Sequence, residues 1–126
     1  MDQPIISVID DDASLRRAIV ALVRSLGHIA HGFASAEEFL DAEADTRSDC
    51  IITDIQMPEC DGLELLEALR YRRDAPKVIA MSGAWDGVCL PSASRLGAFA
   101  AIHKPWRKQE ILDLIRSAFR EETVAA

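Results

Sequence analysis

Short apolar runs alternate with amphipathic helical patterns five times along the chain. The apolar runs contain many Ile, Val and Ala residues and are typical of strands that lie buried within a sheet. Strands separated by helical segments in this way favour a parallel sheet with helices on both faces. The runs that we interpret as strands are Pro4–Ile9, His28–Phe33, Cys50–Asp54, Lys77–Met81 and Ala98–Ile102.

Apolar residues at steps of three and four predict the helices that follow these strands. Gly27 is placed to cap the first helix, and Ser35 with Glu38 has the spacing of a capping box at the second. The fourth helix is interrupted by Gly87 and Pro91, and we expect it to start near Pro91 because proline is tolerated in a first turn. The more regular patterns lie at Leu15–Leu26, Phe39–Leu40, Leu63–Leu69 and Ile111–Phe119.

The composition is that of one globular domain, and we expect this domain to span residues 1–126. The 14 basic and 21 acidic residues give a net charge of −7, which argues against direct binding of nucleic acid. No apolar run approaches the roughly 20 residues that cross a membrane. The 3 cysteines form no metal-finger pattern, and their odd number without a signal peptide favours a reducing compartment. We therefore expect a cytoplasmic protein.

Polar residues stand at the carboxyl ends of four predicted strands. Asp10 and Asp11 follow the first strand, Asp54 ends the third, Ser82 follows the fourth and Lys104 follows the fifth. In a doubly wound sheet of order 2-1-3-4-5, the first and third strands are neighbours at the switch point where ligands bind. The carboxylates are therefore expected to converge at this edge of the sheet.

These residue types suit phosphoryl chemistry. Carboxylates that share a pocket repel one another unless a cation neutralises them, and oxygen ligands with room for water favour Mg²⁺. The Lys104 ammonium and the Ser82 hydroxyl are donors suited to phosphoryl oxygens. Once its charge is neutralised, the Asp54 carboxylate can attack phosphorus and form an acyl phosphate. The sequence therefore predicts a phosphoacceptor site.

The motifs at the strand ends together resemble the signature set of response-regulator receiver domains. Each motif alone is common, but their conjunction in family order along the whole chain is specific. The segment Ser35–Leu40 looks closest to receivers that precede LuxR-type DNA-binding domains. The resemblance implies a flavodoxin-like (βα)5 fold with a five-stranded parallel sheet of order 2-1-3-4-5. The motifs are Val8–Asp12, Asp54–Pro58, Asp61–Gly62, Ser82–Gly83 and Lys104–Pro105.

The resemblance assigns roles to matching residues of the acidic site. It implies that Asp54 is phosphorylated by a sensor histidine kinase or a phosphotransfer protein, or from a small acyl phosphate. Asp11 is then a direct Mg²⁺ ligand, Asp10 binds mostly through water, and the backbone carbonyl of Gln56 completes the protein ligands. The family also implies an output domain or downstream protein as partner and a possible homodimer, with phosphotransfer but no turnover enzyme activity.

Further roles lie at the rim of the site. The resemblance implies that Lys104 pairs with the phosphoryl group, that Ser82 moves toward it, and that the bond to Pro105 is cis. Gln56 and Ala84 occupy positions that tune hydrolysis of the acyl phosphate in this family. Because Ala84 has no group to position a water, we expect slow self-dephosphorylation, and a phosphorylated lifetime of seconds would contradict this.

The chain departs from the family at the output relay. Receivers usually carry Tyr or Phe three residues before the lysine, where this chain has Ala101. Phe99 lies two residues earlier and is a candidate substitute on the same face. Gly87 and Pro91 interrupt the neighbouring helix. We therefore expect the signal to leave by a nonstandard movement of the segment Ala84–Leu96.

Two other functional classes remain as alternatives. One is a pseudo-receiver, a phosphorylation-independent interaction module, which the missing aromatic favours and the complete acidic set opposes. The other is a haloacid-dehalogenase-type phosphatase, which requires Asp-x-Asp after its first strand, whereas Asp54-Ile55-Gln56 lacks the second aspartate. We interpret Asp12 as part of the helix N-terminus, and Trp85 and Trp106 as packing residues.

Overall fold

A computed structural model describes residues 3–42, 48–55, 61–69, 72, 75–83, 89–104 and 106–124. Within these residues the chain forms one parallel sheet of five strands in the order β2-β1-β3-β4-β5, which confirms the predicted flavodoxin-like topology. The strands are β1 (Ile5–Ile9), β2 (Ile29–Phe33), β3 (Cys50–Asp54), β4 (Lys77–Ser82) and β5 (Ala100–His103). The helices are α1 (Ala13–Ser25), α2 (Ala36–Ala42), α3 (Asp61–Leu69), α4 (Cys89–Arg95) and α5 (Lys108–Val124).

The sheet separates two apolar clusters, because alternate residues of each strand point to opposite faces. One cluster joins the sheet to α1 and α5 and includes Val8, Ile19, Ile52, Ile111 and Ile115. The other joins it to α2, α3 and α4 and includes Ile9, Phe39, Ile51, Leu65 and Ala93. β3 is buried along its whole length. Burial on both sides explains why the strands are apolar runs rather than alternating patterns.

Local capping follows the sequence pattern at both ends of α1. The Asp12 carboxylate accepts hydrogen bonds from the backbone N–H groups of Ser14 and Leu15, which confirms that Asp12 begins the helix. Gly27 follows α1 with a φ of +87°, a backbone conformation that favours glycine. At α2, Ser35 Oγ accepts a hydrogen bond from the N–H of Glu38 at 3.1 Å, as the capping box predicts.

The predicted and observed bounds differ most near α4 and β5. α4 begins at Cys89, so Pro91 lies in its first turn, where its missing N–H removes no helical hydrogen bond. β5 begins at Ala100 rather than Ala98, because the Ala98 N–H donates to the Ala93 carbonyl and closes the turn after α4. No helix in the described parts of the chain is long and apolar enough to cross a membrane.

Candidate functional site

Asp10 and Asp54 come together at the carboxyl end of the sheet because their strands are neighbours. β1 pairs with β3 so that Ile9 lies opposite Thr53, which brings the next residue of each strand to the same edge. Asp10 is fully buried and Asp54 is 6% exposed. The N–H of Asp12 donates to Asp10 Oδ1 at 2.9 Å, which orients the Asp10 carboxylate. Two buried carboxylates therefore face one another across the switch point.

Lys104 supplies the positive charge between these carboxylates. Its Nζ lies 3.1 Å from Asp54 Oδ2 and 3.3 Å from Asp10 Oδ2. The backbone holds the residue in place, since the N–H of Lys104 donates to the carbonyl of Ser82 at 2.8 Å, just beyond the end of β5. One ammonium group thus bridges two carboxylates that come from different strands.

Burial and charge shift the pKa values of this group of residues. Burial raises the pKa of Asp10, an effect that the Asp12 N–H and Lys104 oppose and the neighbouring Asp54 reinforces. Burial acts to lower the pKa of Lys104, but the Asp54 and Asp10 carboxylates outweigh it and the net shift is upward. Lys104 is therefore firmly charged at neutral pH, while the ionised form of Asp10 is held at a cost in free energy.

The acidic residues form a group that fits a divalent cation. Oxygen atoms of Asp10, Asp11 and Asp54 all lie within 4.8 Å of one another. Asp11 is exposed, whereas the other two are buried, so the group opens to solvent on one side. Carboxylate oxygens with access to water are the ligands that Mg²⁺ prefers. Asp10, Asp11 and Asp54 are the described residues that could hold the ion.

The remaining predicted residues lie around this group. Ser82 is buried at the end of β4, opposite His103 of β5. Ala101 is exposed and lies opposite Ala80, on the side of the sheet that packs against α4. The prediction that Phe99 lies on the same strand face as Ala101 is wrong, because Phe99 precedes β5 and packs against the cluster on the α1 and α5 side. The structure therefore leaves the aromatic position of the relay with only a methyl group.

Some predictions concern residues outside those that the structure describes. These are the backbone carbonyl of Gln56, the rim position Ala84, the bond to Pro105 and the packing of Trp85. The assigned roles of these residues stay predictions. Trp106 is described and packs against the cluster on the α1 and α5 side, which confirms its interpretation as a packing residue.

Sequence reasoning missed Arg16, which supports the loop that carries Asp10. Arg16 Nη1 donates to the backbone carbonyl of Asp10 at 2.7 Å. The arginine side chain passes over Gly32 of β2, where an added Cβ would lie 3.2 Å from Arg16 Cγ and Cδ. A glycine inside a strand often marks such a close approach, so Gly32 was the available signal for this contact.

Comparisons with known proteins agree with this geometry. Residues 6–116 match the family profile of the response regulator receiver domain. The chain belongs to this family. The transcriptional regulatory protein FixJ of Bradyrhizobium diazoefficiens is 34% identical over 121 residues, which are 96% of this chain and 59% of FixJ. The crystal structure of a response regulator receiver protein from Burkholderia phymatum aligns with a TM-score of 0.80 and 35% identity, covering 92% of this chain and 94% of that one.

The family defines what kind of domain carries the acidic site. The chain is a receiver domain of two-component response regulators, with the fold and the acidic group at the strand ends that the motifs predicted. The transcriptional regulatory protein TdiR of Thauera aromatica is also 34% identical, over 88% of this chain and 49% of TdiR. The receiver therefore spans about half the length of these two regulators.

Proposed function

We propose that Asp54 is the phosphoacceptor of this receiver and that phosphorylation requires Mg²⁺ held by Asp10, Asp11 and Asp54. The observation that carries the proposal is the convergence of three carboxylates with one ammonium group, at 3.1 Å from Asp54. A structural ion pair needs one carboxylate for one ammonium, whereas a second buried carboxylate adds repulsion that a bound cation would relieve. The complete set favours a phosphorylatable receiver over a pseudo-receiver.

The phosphoryl donor is a sensor histidine kinase or a phosphotransfer protein. An oxygen of Asp54 attacks the phosphorus of the donor's phosphohistidine, so that an O–P bond forms and the N–P bond breaks with release of the imidazole. Bound Mg²⁺ would neutralise charge on the carboxylates and on the phosphoryl oxygens. Lys104, now paired with Asp54 and Asp10, keeps its charge and can pair with the phosphoryl oxygens once the acyl phosphate forms.

Ser82 is the residue that moves toward the phosphoryl group in this proposal. It is fully buried at the end of β4, one strand away from Asp54 in the sheet. Its hydroxyl is a suitable donor for a phosphoryl oxygen, and its movement toward the new anion would displace the chain that follows β4. That displacement is how the receiver would alter its contacts with a partner. The receiver would then act as a switch rather than a turnover enzyme, and slow self-dephosphorylation is expected because Ala84 has no group to position a water.

The output of the switch is transcriptional in this proposal. Ser35–Leu40 resembles receivers that precede LuxR-type DNA-binding domains, and FixJ and TdiR are transcriptional regulatory proteins. Net charge of −7 makes this domain a poor ligand for nucleic acid, so contact with DNA falls to an output domain or a downstream protein. Homodimerisation of the receiver stays a prediction.

Intact mass measured after incubation with acetyl phosphate and Mg²⁺ tests the proposal. We expect one added phosphoryl group, and we expect none in EDTA or in the Asp54→Asn variant. Addition of a phosphoryl group to the Asp54→Asn variant would show that another residue is the phosphoacceptor. If wild-type protein binds Mg²⁺ but takes up no phosphoryl group from acetyl phosphate or from a histidine kinase, the pseudo-receiver replaces this proposal.

A further inference from the structure

A groove between α2 and α3 has apolar surface that no described part of the chain covers. It encloses about 440 Å³ and is lined by apolar residues of both helices, among them Leu40, Leu65 and Ala68. Leu40 is 41% exposed, and it and Ile29 are the two large apolar side chains exposed in the described residues. A leucine exposed at the edge of a groove is a common feature of surfaces that bind other proteins.

The charged residues that line the groove in the described parts of the chain are all acidic. Glu37, Asp41 and Glu64 line it, and none of them forms an ion pair with another described residue. α2 and α3 carry three acidic residues each and no lysine or arginine. α1 and α5, on the other face of the sheet, together carry six basic residues and four acidic residues. The negative charge is thus concentrated on the α2–α3 face, and the overall excess of acid does not by itself produce this separation.

We propose that the α2–α3 groove binds a basic amphipathic helix of a partner protein. Apolar side chains of that helix would pack on Leu40, Leu65 and Ala68, and lysines or arginines at its flanks would pair with Glu37, Asp41 and Glu64. α3 has 9 residues and is therefore about 14 Å long, which matches two to three turns of a bound helix. Complementary charge selects a basic partner over a neutral or acidic one.

This surface is separate from the phosphoacceptor site. The residues that line the groove belong to α2 and α3, whereas the acidic site is built from the ends of β1, β3 and β5. The proposal therefore does not depend on phosphorylation of Asp54. An Asp54→Asn variant is expected to bind the basic helix with unchanged affinity, even if the proposed phosphorylation fails.

The test is an NMR titration of the full chain, labelled with ¹⁵N, with a synthetic helical peptide. The peptide has about 14 residues, with leucines at i, i+3, i+4 and i+7 and lysines elsewhere. We expect amide shifts confined to α2 and α3 and an affinity that weakens as NaCl rises from about 0.05 M to about 0.5 M. A peptide with glutamates in place of the lysines is expected to cause no shifts.

Two pairs of variants distinguish binding at the groove from non-specific binding to charged or apolar residues elsewhere on the surface. Glu64→Lys is expected to weaken binding roughly tenfold, whereas Asp113→Lys, at an exposed position of α5, leaves it within about twofold. Leu40→Ser is expected to weaken binding by about threefold or more, whereas Ile29→Ser, at the other exposed apolar residue, is expected to leave the affinity unchanged. Unchanged unfolding midpoints would show that these exposed substitutions leave the fold intact.

Three results would overturn the proposal. The first is an absence of shifts at peptide concentrations up to about 1 mM, which corresponds to negligible affinity. The second is binding that maps to another face or is insensitive to Glu64→Lys and Leu40→Ser. The third is self-association of the protein, measured by sedimentation, that Leu40→Ser abolishes, because a second copy of this chain would then be the occupant.

Discussion

Lys104 Nζ lies 3.1 Å from Asp54 Oδ2, although 50 residues separate them in the chain. The same ammonium group lies 3.3 Å from Asp10 Oδ2. Asp10 has no exposed surface, so its charge depends on Lys104 and on the Asp12 N–H. The Lys104 ammonium group therefore neutralises part of the negative charge of the acidic site, and a bound divalent ion would neutralise more of it.

The Lys104→Met variant should be less stable than wild type. Removal of the ammonium leaves the buried Asp10 carboxylate beside Asp54 without a cation, which we expect to lower the free energy of unfolding by about 1–3 kcal/mol. Urea unfolding at pH 7.5 in EDTA measures the change. Lys108→Met, at an exposed lysine of α5, is the matched control and is expected to stay within about 0.5 kcal/mol of wild type.

The pH dependence of this contribution follows from the raised pKa of Lys104. A lysine whose pKa is higher in the folded state stabilises the fold fully below its unfolded value of 10.5, and loses that contribution as pH rises through the folded pKa. The difference between wild type and Lys104→Met should therefore be constant from neutral pH to near 10 and shrink above it. A difference that disappears already at pH 8 would contradict the ion pairs.

Asp10→Asn should stabilise the protein at neutral pH in the absence of divalent cations. Because burial raises the pKa of Asp10 above 3.8, the folded state binds this proton more tightly than the unfolded state does. Wild type therefore loses stability as pH rises through the raised pKa, and the variant does not. We expect a gain in the free energy of unfolding at pH 7.5 that vanishes toward pH 3.

Urea unfolding across this pH range checks the Asp10 prediction. Asp113→Asn removes an exposed carboxylate from α5 and provides the control, with a change within about 0.5 kcal/mol at every pH. Equal stability of wild type and Asp10→Asn at pH 7.5 would mean that Lys104 and the Asp12 N–H fully offset the burial of Asp10.

Mg²⁺ should stabilise the folded protein through Asp10, Asp11 and Asp54. A ligand that binds only the folded state at one hundred times its Kd adds about 2.7 kcal/mol to the free energy of unfolding. We expect this increment for wild type and its loss in Asp10→Asn and Asp11→Asn. The comparison is made at constant ionic strength with NaCl, and an equal gain from Na⁺ would indicate screening rather than binding.

The Cys50 thiol should be unreactive in the folded protein. It is buried within β3, and burial raises its pKa to about 12, so the thiolate is absent near neutral pH. In a variant with Cys60 and Cys89 changed to serine, we expect modification by a disulfide reagent at pH 8 only through unfolding. Rapid modification of that variant without denaturant would show local opening of β3.

The segment Ala84–Leu96 should move when the site is activated. Ala101 offers no aromatic side chain to relay the change, so the helix that packs beside it must carry the signal. Crystal structures with and without beryllofluoride and Mg²⁺ measure the displacement of α4. Identical positions of Cys89–Arg95 in the two structures would contradict the nonstandard relay.

The fold was predictable from the sequence because its signals are local. Buried strands appear as β-branched runs, and the helix beginning at Asp12 and ending before Gly27 is marked at both ends by residues that satisfy its free backbone groups. The least accurate bounds lie at β5. There the Ala98 N–H donates to the Ala93 carbonyl instead of joining the sheet. This hydrogen bond depends on how α4 packs, which the local sequence does not show.

Sequence alone determined the βα order and the residue types of the acidic site, since each follows from periodicity, capping or motif. Tertiary structure decided which atoms meet. Lys104 lies 94 residues from Asp10, and the two residues come within 3.3 Å because β1 pairs with β3, β3 with β4 and β4 with β5. The packing of Phe99 and the α2–α3 groove are likewise properties of distant segments in contact, because burial and charge separation arise only after the chain has folded.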